Sequence, residues 1–94
     1  MFVVRETFTA KPGQASKLAA LFKEVAPMSN HARMRVLTDA VGQFNTVVLE
    51  TEVDALGDFE KLMKEYESRK DIQERMKGYT EMYASGKREI YRVM

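Results

Sequence analysis

The only histidine of the chain, His31, stands just before the second predicted strand. Histidine is the side chain whose unperturbed pKa suits proton transfer near neutral pH, so His31 is the candidate catalytic residue. A lone histidine outside any motif is more often a solvent-facing loop residue, and that interpretation stays beside the catalytic one.

Two carboxylates, Glu50 and Glu52, lie two residues apart on a predicted strand and therefore share a face. Such a pair can bind a hard divalent cation or hold a raised pKa. More often, one of the two pairs with an arginine across the sheet, Arg5 or Arg35, and the other is solvated. One histidine and no cysteine cannot supply a usual transition-metal cluster, so we predict no metal site.

Aromatic and methionine side chains in the second half of the chain could line a cavity between a sheet and a helix. Mostly apolar walls with few polar groups are typical of a small-molecule site, although an ordinary core has the same composition. The candidate ligand-binding residues are Arg5, Arg35, Glu50, Phe59, Met63, Tyr66, Tyr79, Tyr83 and Tyr91. No phosphate loop, dinucleotide fingerprint or nucleophile elbow occurs, and we predict no cofactor.

A group of basic residues falls on the second and fourth predicted strands. Its arginines could recognise phosphate or carboxylate, but a solvated sheet edge or salt bridges in a dimer interface are the commoner roles. The members are Arg33, Arg35, Lys87, Arg88 and Arg92.

The first half of the chain predicts a strand, a helix and two further strands. Residues 2–10 alternate and are rich in Val, Thr and Phe, which predicts a strand. Apolar residues spaced by three and four indicate an amphipathic helix over residues 14–26, which Pro27 ends. Strands are predicted at about residues 33–38 and 45–53, joined by a loop that contains Gly42.

The second half predicts a broken helix and a last strand. Asp54 stands where a helix N-cap belongs, and the apolar stripe runs from Leu56 to Tyr66. Continuing that stripe would bury charged residues, so we expect a break near residues 68–70, with Asp71 capping a second segment. The final strand is predicted from about Lys87 to Met94.

This order of elements predicts an α+β, ferredoxin-like βαββαβ fold. Right-handed crossovers place the strands as 4-1-3-2 in an antiparallel sheet, with the helices on one face. Every strand offers apolar side chains to both faces, and a bare apolar sheet face usually marks an interface. We therefore expect a homodimer, with a monomer whose half-polar sheet stays open as the alternative that Arg5, Thr7 and Glu50 permit.

Two segments carry a resemblance to a known family. The two-strand segment from Arg35 to Glu52, RVLTDAVGQFNTVVLETE, resembles the NIPSNAP family, and SGKREIYRV from Ser85 to Val93 resembles its closing strand. The resemblance covers nearly the whole chain and implies that residues 1–94 form a single domain. It also implies a dimeric α+β barrel, in which two ferredoxin-like sheets close around a shared interior. The family has no agreed reaction.

Composition limits the partners of the protein. The chain has 94 residues, 45% of them hydrophobic and 31% charged, with a formal net charge of +1. This balance gives no long-range attraction to polyanions, so nucleic acid and anionic membranes are poor partners. Charge appears within five residues of the start, which argues against a secretory signal or a membrane span and favours a cytoplasmic protein.

Three functions remain open from the sequence. The first is a dimer that binds a small apolar or aromatic molecule. The second, by analogy with other dimeric α+β barrels, is a cofactor-independent monooxygenase or an isomerase, with His31 or a buried tyrosine as base. Haem degradation of the type found in such barrels uses a tryptophan, and this chain has none. The third is an adaptor or structural protein without a ligand.

Overall fold

The structure, a computed structural model, describes residues 1–29 and 33–94. Over these ranges the chain forms four strands and three helices. In chain order they are β1 (Phe2–Ala10), α1 (Ala15–Val25), β2 (Arg33–Thr38), β3 (Thr46–Val53), α2 (Leu56–Ser68), α3 (Lys70–Met76) and β4 (Tyr83–Arg92). Short 3₁₀ turns occupy Ala26–Met28 and Tyr79–Glu81.

The four strands form one antiparallel sheet in the order β2-β3-β1-β4. Read from the other edge this is 4-1-3-2, so the predicted ferredoxin-like α+β topology is confirmed. Arg5 on β1 lies opposite Glu50 on β3 and opposite Glu89 on β4, while Glu50 also lies opposite Arg35 on β2. This register places four charged residues of alternating sign in one row across the sheet.

The hydrophobic core lies between the helices and one face of the sheet. Val4 of β1 and Val47 of β3 are fully buried there, against Leu18 of α1, Leu62 of α2 and Ile72 of α3. Successive strand residues point to opposite faces, so Val3, Arg5, Val48 and Glu50 belong to the other face, which no described helix covers. We call this second surface the helix-free face.

The predicted helix break is confirmed. α2 ends at Ser68 and α3 begins at Lys70, with Arg69 in an extended conformation between them. The guanidinium of Arg69 donates to the carbonyl oxygen of Met28 and to the carboxylates of Glu65 and Asp71. The break therefore keeps Arg69 out of the apolar stripe of the helix, and the positive charge of Arg69 is paired with two carboxylates.

Both predicted helix caps are wrong. Ala55 precedes α2, and its N–H donates to the carboxylate of Asp58 over 3.2 Å, so the capping carboxylate lies inside the first turn rather than at Asp54. Arg69 precedes α3, and Asp71 lies in the first turn, where it accepts the N–H of Ile72 over 3.0 Å. In both helices an acidic residue stabilises the N-terminus from within the first turn.

The last strand begins earlier than predicted. Tyr83 already pairs with Ala10, and the register shifts between Thr9 and Ala10. Gly86 lies within β4, where an added Cβ would approach the Phe8 ring to 3.1 Å. The glycine therefore allows this ring to lie against the strand backbone.

In the described part of the chain, no helix is long and apolar enough to cross a bilayer.

Candidate functional site

A cavity of about 480 Å³ lies between the sheet, α1 and the broken helix α2–α3. β1 and β3 supply its floor through Phe8 and Leu49, and α1 closes one end with Phe22. The broken helix and the 3₁₀ turn that follows it supply the opposite wall, through Met63, Tyr66, Ile72, Gln73, Met76 and, in the turn, Tyr79. The extended residue Arg69 separates α2 from α3, and side chains of both segments line this space.

An aromatic cluster forms one end of this cavity. The ring of Phe8 lies 5.2 Å from that of Phe22 and 4.9 Å from that of Tyr83, centroid to centroid. Tyr79 joins the cluster, with its centroid 5.9 Å from that of Tyr83. Tilted and edge-on rings at these distances attract one another, which holds this wall in place.

One ion pair interrupts the apolar lining. Glu6 on β1 and Arg88 on β4 are directly opposite in the sheet register, and both line the cavity. Arg88 Nη2 lies 2.9 Å from Glu6 Oε2, and Nε lies 3.2 Å from the same oxygen. The guanidinium also lies over the Phe59 ring, 5.1 Å from its centroid. We call these two side chains the Glu6–Arg88 pair.

Tyr66 is a hydrogen-bond donor in this site and a poor base. Its hydroxyl donates to the sulfur of Met34 over 3.2 Å, and burial raises its pKa to about 12. Burial and the neighbouring Tyr83 also raise the pKa of Tyr79. Both phenols therefore stay protonated at neutral pH.

The helix-free face carries a second group of candidate residues. Glu50 is 6% exposed and lies between Arg5 and Arg35, whose guanidiniums contact its two oxygens at 2.7–2.9 Å. The hydrogen bond from Arg35 is the main reason that the pKa of Glu50 lies below its ordinary value, with Arg5 adding to the effect. The expected pairing of one carboxylate with Arg5 or Arg35 is therefore confirmed for Glu50 and for both arginines. The expectation that the other carboxylate is solvated is wrong, because Glu52 lies opposite Arg33 in the register and forms an ion pair with it over 3.1 Å.

Tyr91 continues this charged row toward β4. The guanidinium of Arg5 lies 5.4 Å from the centroid of the Tyr91 ring. The Tyr91 hydroxyl donates to Glu89 over 2.9 Å, and this hydrogen bond raises the tyrosine pKa. A depression of about 330 Å³ beside the row is lined by Arg33, Arg35, Glu50 and Glu52. Because these charged side chains already pair with one another, the depression has few free charges with which to bind a small ligand.

The structure separates the predicted ligand-binding residues into two groups. Met63, Tyr66 and Tyr79 line the cavity, and Phe59 and Tyr83 contact its lining. The other four, Arg5, Arg35, Glu50 and Tyr91, lie on the helix-free face, across the sheet from the cavity. His31 lies outside the described residues.

Sequence reasoning missed the Glu6–Arg88 pair as a feature of the cavity. One signal was present, because Glu6 shares a strand face with Phe2, Val4 and Phe8 and so points into an apolar region. Its partner depends on the register between β1 and β4, which no local pattern gives. Among the described residues, no group of three or more His, Asp or Glu side chains could hold a metal ion.

Comparisons with known proteins show the fold. No family model and no curated protein matches the sequence. An uncharacterised NIPSNAP domain protein from Burkholderia xenovorans superposes with a TM-score of 0.85 at 14% identity, covering 100% of this chain and 95% of that one. A NIPSNAP family protein from Agrobacterium tumefaciens gives 0.84 at 13% identity, over 99% and 92% of the two chains.

A third similar structure has a different name. A candidate antibiotic biosynthesis monooxygenase from Chloroflexus aurantiacus superposes with a TM-score of 0.78 at 16% identity, over 99% of this chain and 92% of that one. At sequence identities this low, a superposition shows that the backbones are similar and does not show that the functional sites are. The chain therefore has the NIPSNAP-type fold that its two sequence segments resemble.

Proposed function

We propose that this protein is a cytoplasmic homodimer of single-domain protomers, each of which binds a small apolar or aromatic molecule in its own cavity. The observation that carries the proposal is the cavity of about 480 Å³ with its aromatic and methionine walls. Small-molecule sites have this size and composition, with a few polar groups that orient the ligand. A protein with a purely structural role has no need of such a space beneath its helices.

A cavity-filling substitution tests ligand binding. Met76 is half-buried and lines the cavity, so Met76→Trp should occupy the space that the ligand needs. The matched control is Leu56→Trp, because Leu56 is 50% exposed and is not among the cavity-lining residues. We expect 1-methylnaphthalene to shift the NMR signals of cavity residues in the wild type and in Leu56→Trp, and to leave Met76→Trp unchanged. Equal shifts in all three proteins would contradict the proposed site.

The dimer part of the proposal rests on the helix-free face. Half-buried Val3 and Val48 lie there, beside Leu37, which is 38% exposed, and Tyr91, which is 45% exposed. A chain of 94 residues buries a smaller fraction of its unfolded surface than a larger domain does, so covering this face with a second copy adds needed burial. The row of alternating charges across the face would set the orientation of the partner sheet.

A charge at Val48 tests the dimer. In a face-to-face dimer, Val48→Glu places an unpaired carboxylate in each half of the interface and should raise the dissociation constant by about a hundredfold or more. Ala20→Glu is the control, because Ala20 is exposed on α1. Light scattering after gel filtration should show a monomer for Val48→Glu only. A wild-type monomer would refute the dimer directly.

An enzymatic role is the second candidate, because a structure named for antibiotic biosynthesis monooxygenases shares the fold. A cofactor-independent monooxygenase or isomerase would act on the molecule in the same cavity. Tyr66 is unsuited as its base, since its pKa of about 12 keeps the phenol protonated. His31 remains the candidate base, and unchanged turnover in His31→Ala would remove it from any mechanism.

A further inference from the structure

The Glu6–Arg88 pair leaves hydrogen-bonding atoms available to a ligand. Both contacts from the guanidinium go to a single carboxylate oxygen, Glu6 Oε2. Within residues 1–29 and 33–94, neither Glu6 Oε1 nor Arg88 Nη1 has a hydrogen-bond partner. The side chain of Glu6 is 14% exposed and is largely shielded from bulk water, whereas that of Arg88 is 48% exposed and is partly open to it. The pair, which lines the cavity, therefore leaves one acceptor oxygen and one donor nitrogen for a ligand.

The charges around the cavity disfavour an ionic ligand. Its lining contains the carboxylates of Glu6 and Glu67 and the guanidinium of Arg88. Arg88 is already neutralised by Glu6, so an anion that reached Arg88 would also lie against the Glu6 carboxylate. A cation at Glu6 would meet the guanidinium in the same way. An uncharged group avoids both repulsions and the cost of stripping water from an ion.

We infer that the ligand is an uncharged aromatic molecule with a hydrogen-bond donor beside an acceptor, as in a carboxamide or a lactam. Its donor binds Glu6 Oε1, its acceptor binds Arg88 Nη1, and its ring lies among the aromatic and methionine walls. This inference rests on the proposed function, because it names the chemical class of the molecule that the cavity binds. The Glu6–Arg88 pair then selects among aromatic molecules of similar size.

Four probes of nearly equal size test the inference. They are 1-naphthamide, 1-naphthoate, 1-naphthylmethylammonium and 1-methylnaphthalene, titrated into the protein by calorimetry or NMR. We expect 1-naphthamide to bind about tenfold more tightly than 1-methylnaphthalene, because two hydrogen bonds each add a modest net gain. It should also bind more tightly than either ion.

Substitutions in the pair should change the preference in opposite ways. Glu6→Gln leaves the charge of Arg88 without its carboxylate, so 1-naphthoate should become the tightest probe. Arg88→Met should weaken 1-naphthamide to the level of 1-methylnaphthalene and leave the latter unchanged, and this variant tests the inference if Glu6→Gln fails to fold. Glu60→Gln, an exposed position on α2, should keep the wild-type order.

The outcomes separate this inference from the proposed function. Tightest binding of 1-naphthoate, of the ammonium probe or of 1-methylnaphthalene to the wild type would overturn the inference while the cavity stays a ligand site. An unchanged probe order in Arg88→Met would overturn it too. Failure of all four probes to bind would overturn the inference together with the proposed function.

Discussion

Replacing Glu50 by glutamine should destabilise the protein more than any other charge-removing change on the helix-free face. Arg5 holds one carboxylate oxygen at 2.8 and 2.9 Å, and Arg35 holds the other at 2.7 and 2.8 Å. Glutamine keeps the shape of the side chain but turns one oxygen into a donor that faces a guanidinium. Two charge-assisted contacts are lost, each worth about 1.5–3 kcal/mol when shielded from water.

Solvent reduces this sum, because the side chains of Arg5 and Arg35 are 43% and 70% exposed. We therefore expect Glu50→Gln to lower the free energy of unfolding by about 2–3 kcal/mol. Glu52→Gln is the matched control. Its ion pair with Arg33 spans 3.1 Å between side chains that are 41% and 73% exposed, so the loss should stay below about 1 kcal/mol.

Urea unfolding at neutral pH and at one fixed protein concentration measures both losses. Equal losses in Glu50→Gln and Glu52→Gln would refute the reasoning, because burial would then make no difference to the two carboxylates.

The pH dependence of stability provides a second readout. The folded pKa of Glu50 lies below its ordinary value of 4.5. Its stabilisation is therefore complete above pH 4.5 and is lost as the pH falls through the folded pKa. Glu50→Gln should lose less stability than the wild type over that range.

Two further predictions concern the core and the cavity. Leu62→Ala should lower the free energy of unfolding by about 2–5 kcal/mol, because Leu62 is fully buried. Leu56→Ala, at a half-exposed site, should lower it by less than about 1 kcal/mol. Equal urea midpoints for the two variants would contradict this prediction. Alkaline titration followed at the tyrosinate absorbance should show a last step at about pH 12 that Tyr66→Phe removes. The folded pKa of Tyr66 lies above its ordinary value of 10.0, so its contribution to stability is present below pH 10 and is lost as the pH rises toward 12.

The fold was predictable because most of its elements have strong local patterns. The alternation in β1 predicts a strand where the structure has one, and the three-and-four spacing in α1 agrees with the residues that the helix buries. The break at Arg69 was predictable too, since a continuous helix would have buried a charge. The cap positions were not, because Asp54 and Asp58 are both plausible caps until the path of the chain before α2 is known.

The pairing across the sheet was predictable only where topology brought the strands together. The strand order places β3 between β1 and β2, so Arg5 and Arg35 were natural partners for Glu50. Sequence could not decide which parity faced the helices, since β1 and β3 carry apolar residues on both faces. The structure assigns Val47 and Leu49 to the core and Val48 to the helix-free face.

The composition of the cavity could not be read from any single element. Its lining comes from all three helices and from β1, β3 and β4, and the Glu6–Arg88 pair requires the exact register of β4 on β1. β4 also begins at Tyr83, four residues before the predicted start at Lys87, because it pairs with β1 as far as Ala10. The sequence therefore indicated several aromatic walls but missed the polar pair.

Native mass spectrometry of the freshly purified protein tests the central claim most directly, because it reports assembly and retained ligand together. Our account predicts a dimer that carries one or two copies of a defined small molecule, and a dimer of Met76→Trp without that added mass. A monomer, or a Met76→Trp dimer that retains the same added mass as the wild type, would contradict it.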